Sequence, residues 1–125
     1  MRFMMLVKHA AGQCAPPPPR MMQEIEKLAA EAVKSGAMLG SGGLGPIDQS
    51  TRIRLEKGKV TVLDGPFSET KEVVGGYAQF EFKTKEEAVG ATTKFMELHR
   101  DYWPGWEGET EIRQMLGPED FPQAK

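Results

Sequence analysis

Phe3 to Val7 form an unbroken apolar run, bounded by Arg2 and Lys8. A run without polar alternation suits a strand covered on both faces, so it is predicted to lie centrally in its sheet. Ala10 to Pro19 breaks the pattern and ends in four prolines. Proline fixes φ and lacks the amide hydrogen, so this stretch reads as an extended linker whose last residue can open a helix. From about Arg20 to Ser35, Met22, Ile25, Leu28, Ala29, Ala32 and Val33 recur at helical spacing, with Glu24, Glu26, Lys27 and Glu31 elsewhere on the helix. Gly36 stands where a helix-ending glycine belongs. Ala37 to Leu39 begins a second strand. The glycines from Gly40 to Gly45 are predicted as a loop, because glycine packs no side chain and costs backbone entropy in a strand.

Thr51–Leu55 and Val60–Leu63 are rich in β-formers and are joined by Glu56-Lys57-Gly58-Lys59, which predicts a hairpin. Gly76 to Lys83 alternates, with Ala78, Phe80 and Phe82 on one face and Tyr77, Gln79 and Glu81 on the other. Thr84 followed by Glu87 reads as a capping box. The helix behind it carries Ala88, Ala91, Thr92, Phe95 and Leu98 or His99 on its apolar stripe. Thr110 to Leu116 is the last strand, followed by an acidic tail around Glu119-Asp120-Phe121.

This order predicts an α+β fold on the ferredoxin-like βαββαβ plan, with an extra hairpin and an antiparallel sheet covered on one face by two helices. One domain spans residues 1–125. The other sheet face mixes Tyr77, Gln79 and Glu81 with apolar residues of the first strand. Pairing it with a second copy buries the apolar part and leaves the polar residues lining a cavity, so a homodimer is expected.

Composition narrows the function classes. A net charge of −2 over 125 residues gives no electrostatic attraction to phosphate, so no nucleic-acid partner is expected. Cys14 is the only cysteine, which excludes an internal disulfide. The apolar start is shorter than the roughly 7–15 residues of a signal sequence, and no run approaches the ~20 residues of a membrane span. A cytoplasmic protein with no membrane partner is expected. His9 and His99, 90 residues apart, provide no metal-site spacing. The Gly40–Gly43 run lacks the GxxxxGK[ST] and GxGxxG patterns. Neither a metal nor a cofactor is expected. His9 reads as a loop histidine, and His99, Trp103 and Trp106 as packing residues.

The most informative segment is Asp64-Gly65-Pro66-Phe67-Ser68-Glu69-Thr70-Lys71-Glu72, followed by Gly75-Gly76-Tyr77. Asp-Gly-Pro is first a chain-reversal signal: Asp accepts backbone amides, Gly takes unusual φ, and Pro blocks further strand pairing. Glu69, Lys71 and Glu72 read either as solvated loop charges on a purely structural turn or, being more charge than a turn requires, as part of a site. The second reading places Asp64 as a candidate base or hydrogen-bond acceptor in a cleft beside Lys8. Lys8 or Lys71 neutralises an anionic substrate or a developing oxyanion. The candidate site is therefore Asp64 as the catalytic residue, with Lys8, Ser41, Glu69, Lys71, Glu72 and Tyr77 contacting substrate. Ser41 has no recognisable base partner and is not assigned as a nucleophile.

This segment resembles the DGPF proteins, which belong with the YCII-related domains. Arg2 to Lys8, Ser41-Gly42-Gly43-Leu44-Gly45-Pro46, Gly108 to Arg113 and Glu119-Asp120-Phe121 are also similar to their counterparts there, so the resemblance covers nearly the whole chain. It implies a ferredoxin-like fold that dimerises face to face as a dimeric α+β barrel. Some YCII-related domains carry a His–Asp pair in a cleft, and a few relatives act on small cyclic or chlorinated aromatic compounds. The histidine of that pair lies near the start of the first helix. Pro16 to Gln23 contains none here, so Asp64 alone carries the carboxylate role over. The resemblance implies a small-molecule enzyme or enzyme-like homodimer acting on a small anionic or aromatic metabolite. The alternative is a non-catalytic metabolite-binding or regulatory module, since some DGPF members are encoded beside or joined to extracytoplasmic-function sigma factors. A purely structural dimer is a third reading.

Overall fold

The computed structural model describes residues 1–12, 15–67 and 70–121. Its elements, in chain order, are β1 (Arg2–Ala10), α1 (Pro19–Lys34), β2 (Met38–Gly43), β3 (Thr51–Glu56), β4 (Lys59–Asp64), β5 (Glu72–Glu81), α2 (Lys85–Tyr102) and β6 (Gly108–Met115). Four strands form an antiparallel sheet in the order β2-β5-β1-β6, which is the ferredoxin-like arrangement, and β3 and β4 form a separate two-stranded sheet. The apolar opening run is central, as its lack of alternation predicts, although the strand runs on through Lys8 and His9 to Ala10.

Register decides what each face presents. Phe3 pairs with Phe80 and Met5 with Ala78 and Ile112, and these residues face the helices. Phe3, Met5 and Phe80 are buried there with Met21 of α1 and Ala88, Thr92 and His99 of α2. The Thr92 hydroxyl lies 2.9 Å from the Ala88 carbonyl and 3.1 Å from the Met5 sulfur, so the one buried hydroxyl of this stripe is satisfied. The Arg20 guanidinium sits 5.4 Å over the Tyr102 ring, linking the start of α1 to the end of α2. The opposite face carries Met4, Leu6 and Lys8 beside Gln79, Tyr77 and Val74, with Arg113, Glu111 and Glu109 on the far strand.

Local chemistry sets the element ends. Pro19 opens α1 at its first position, and Gly36 beyond its end has φ +80°. The Thr84 hydroxyl accepts the Glu87 amide at 3.2 Å; the Glu87 carboxylate reaches back to the Lys83 amide, one residue before the cap. Lys57 and Gly58 both have positive φ, the two-residue hairpin turn whose twist matches its strands.

The glycine run departs from expectation, because β2 extends through Gly40, Gly42 and Gly43 instead of stopping at Leu39. The ladder shifts register between Met38 and Gly40, and the Tyr77 ring then lies across Gly42, about 3.1 Å from where a side chain would begin. A neighbour's ring fills the space that the glycine leaves. β5 likewise begins at Glu72 rather than Gly76, since its early residues pair with the extended end of β1. Among the described residues, no helix is long and apolar enough to cross a membrane.

Candidate functional site

α1 does not close fully onto the sheet. Between the helices and the sheet lies an open cleft of about 1550 Å³, lined mainly by apolar residues such as Ile25, Leu28 and Ala32 of α1, Phe80 of β5 and Phe82 just beyond it. Glu31, Glu87 and Lys94 add charge, and Ser41 of β2 also lines it. This volume exceeds the roughly 300–1,000 Å³ typical of a small-molecule pocket, so a single ligand occupies only part of it.

One end of the cleft is aromatic. Phe95 and His99 of α2 and Trp103, the residue that ends it, follow one another at four-residue spacing and meet on one side. The Trp103 amide donates to the His99 carbonyl at 3.0 Å as the helix ends. A turn through Pro104 and Gly105, whose φ is +84°, then brings the Trp106 amide to the Trp103 carbonyl at 3.1 Å. Trp106 is thereby folded back over His99, with ring centroids 4.3 Å apart. Phe95 meets the same imidazole edge-on at 4.7 Å, and Trp103 stacks at 6.1 Å. Gly108 is the seat for Trp106: a β-carbon there would fall 2.5 Å from the indole.

His99 is the titratable group at this end. Its Nδ1 lies 3.0 Å from the Phe95 carbonyl and donates to it. In the neutral ring that leaves Nε2 as an acceptor. Every buried side-chain nitrogen or oxygen among the described residues has a partner, and none is seen for Nε2, so this atom keeps some access to solvent; His99 borders both the cleft and a smaller pocket with Met96, Arg100 and Glu107. Burial holds the imidazole below the ordinary histidine value, partly offset by the hydrogen bond to Phe95. The ring is therefore neutral near pH 7, with a lone pair available to a proton donor. His9 lines the cleft as well, its Nδ1 2.8 Å from the Ala10 carbonyl.

The residues selected from sequence are distributed over several surfaces. Lys8 and Tyr77 belong by register to the sheet face away from the helices, although Tyr77, whose ring lies across Gly42, also borders the cleft; Glu72 shares that face through its pairing with Ala10. Lys8 is in direct contact with Glu111, whose hydrogen bond is the main cause of its raised pKa, with Glu72 and Glu109 adding to it. The Lys8 ammonium in turn lowers the Glu111 carboxyl. Lys71 is exposed, and its carbonyl accepts the Ala11 amide at 2.9 Å. Asp64 ends β4 and is exposed, its carboxylate accepting the Thr51 hydroxyl at 2.9 Å. Glu69, with Ser68 and Cys14, lies outside the described residues.

The Asp-Gly-Pro-Phe segment also holds its surroundings together. The Gly65 amide donates to the Ser50 carbonyl at 3.0 Å, and a β-carbon on Gly65 would meet the Asp48 carbonyl oxygen at 2.8 Å. The segment thus fits against the Leu44–Ser50 loop, whose residues Leu44 to Asp48 line the cleft. Phe67 sits under the Arg52 guanidinium at 3.8 Å, and Arg52 also donates to the Thr70 hydroxyl at 3.0 Å.

The packing role read for His99 from the sequence agrees with its burial and ring contacts; His99, Trp103 and Trp106 also border the cleft, for which the aromatic spacing 95–99–103, continued by a Pro-Gly turn to a second tryptophan, is the sequence signal. No group of three or more metal-binding side chains occurs among the described residues. No curated protein matches the chain. The model of the YCII-related domain matches residues 1–95, which include β1, α1, β2, the hairpin, the Asp-Gly-Pro-Phe segment and β5. With that match over most of its length, on a ferredoxin-like sheet, the chain belongs to the YCII-related domain family.

Proposed function

We propose that the chain is a small-molecule enzyme or enzyme-like protein, working as a homodimer, whose ligand lies at the aromatic end of the cleft. The observation that carries this reading is His99: a neutral imidazole at the end of the cleft, with Nδ1 committed to a backbone carbonyl, Nε2 left as an acceptor, and the rings of Trp103 and Trp106 beside it. Indole walls favour a planar, largely apolar ligand. The free nitrogen favours one that brings an O–H or N–H donor, such as a phenol. An imidazole held neutral at physiological pH is also suited to accepting that proton. The acid–base role that the motif suggests for Asp64 belongs to the same proposal. Asp64 ends the β3–β4 hairpin and does not line the cleft, so any part it plays lies outside the aromatic end.

Trp103 and Trp106 are the only tryptophans in the chain, so their fluorescence reports on this site alone. Titration with substituted phenols and their methyl-ether analogues should give saturable quenching, stronger for the phenols. His99→Phe should weaken phenol binding by about tenfold, the size of one hydrogen bond, and leave the ethers unchanged. Absence of saturable quenching by any member of the panel would overturn the reading. Binding without turnover of any bound phenol would place the protein with metabolite-binding modules instead.

A further inference from the structure

The β3–β4 hairpin is left without a covering surface. Ile53 pairs with Val62 and Leu55 with Val60, so all four aliphatic side chains lie on one hairpin face. They are 64–71% exposed. A two-stranded hairpin has little stability alone, and four exposed aliphatic residues in one patch mark a surface that meets something. The total surface agrees. The chain exposes 9219 Å², where a compact monomer of this mass exposes about 6,600 Å². That excess is well above the roughly 800 Å² each partner contributes to a standard interface.

The second unpartnered surface is the open face of the main sheet. Its middle is apolar, with Met4, Leu6, Val74 and Tyr77 adjacent in register. One end is acidic: Glu72, Glu109 and Glu111 surround Lys8, with Arg113 3.5 Å from Glu111. The hairpin has the opposite balance, since Arg54, Lys57 and Lys59 outnumber Glu56 around its turn. Apolar patch and charge therefore match together.

We propose that the hairpin is an exchange arm, its Ile53, Leu55, Val60 and Val62 face docking on the open sheet face of a second copy with Lys57 and Lys59 toward the Glu72–Glu109–Glu111 end. This rests on the homodimer reading and assigns the element that holds the dimer. Each copy gives an arm and receives one, as two-fold symmetry requires.

The test is sedimentation equilibrium of the full chain beside two variants. The parent should have twice 13.8 kDa at micromolar concentration. Leu55→Lys with Val60→Lys should raise the dimer dissociation constant at least thirtyfold. Far-UV circular dichroism and tryptophan emission should stay unchanged, because both positions are exposed. Lys57→Glu with Lys59→Glu, at the exposed turn, should raise the constant about tenfold at low ionic strength and little in 0.5 M salt. A parent dimer that both variants leave intact would overturn the arm while sparing the homodimer. A monomeric parent would overturn both.

Discussion

At the scale of single residues, Gly65 and His99 owe their importance to what lies within a few ångströms of them. Gly65 is the glycine of a turn motif, but it is required by close approach: the Asp48 and Ser50 carbonyl oxygens lie 2.8 and 3.2 Å from the position of a β-carbon. Both obstacles are backbone and cannot swing aside. Gly65→Ala should therefore cost about 1–3 kcal/mol, the range for an overpacked site. Urea unfolding measures it, and a cost below ~0.5 kcal/mol would mean that the loop relaxes freely.

His99 links burial to pH. Histidine in the unfolded chain titrates near 6.5, and burial holds His99 lower in the folded protein. Well above that value both states carry a neutral ring, and the group adds no pH dependence. As pH falls through 6.5, the unfolded chain takes up a proton that the folded chain refuses, so stability declines until the folded value is reached. Replacing the ring by a non-titrating one removes this component. The stability difference between the parent and His99→Phe should thus shift against the parent between pH 7.5 and 5.5. A difference that stays flat across the range would show that His99 is not held neutral by burial.

At the scale of elements, most of the fold was legible because local signals and tertiary demands agree. α2 starts at Thr84 because its hydroxyl satisfies the Glu87 amide, which Thr84→Ala should expose at a cost of about 1 kcal/mol in thermal unfolding. Phe80 points inward because strand alternation leaves it no other face once Tyr77 and Gln79 point out. Phe80→Ala should cost about 3–5 kcal/mol in denaturant unfolding, whereas a loss below ~1 kcal/mol would reverse the strand faces. β2 was less legible. Its glycines carry no strand signal of their own, and the strand persists because β5 offers a ladder and Tyr77 a ring to cover Gly42.

At the scale of the whole molecule, the cleft sets the expected response to a ligand. A compound that binds the folded chain and not the unfolded one stabilises it by about 2.7 kcal/mol at a hundredfold excess over its dissociation constant. Any phenol that quenches Trp103 and Trp106 should raise the melting temperature accordingly; quenching without a thermal shift would indicate contact with the unfolded chain as well.

The chain's periodicities determined, by themselves, the two helices, the central first strand, the hairpin and the ferredoxin-like order, because each rests on neighbours within a few residues. The specific Asp64–Glu72 motif and its companion segments indicated the family for the same reason. Only the tertiary structure decided which candidate residues share a surface. Sequence placed Lys8, Ser41, Asp64 and Tyr77 in one site. In the fold Lys8 faces away from the helices, Ser41 lines the cleft beneath them with Tyr77 at its border, and Asp64 ends a separate hairpin. A strand sends successive side chains to opposite faces, and a register shift between Met38 and Gly40 determines which face Ser41 joins. The incomplete closure of α1 on the sheet is likewise a packing outcome of the whole chain. It turns a helical stripe of Phe95, His99 and Trp103, indistinguishable from core in the sequence, into the wall of a cavity.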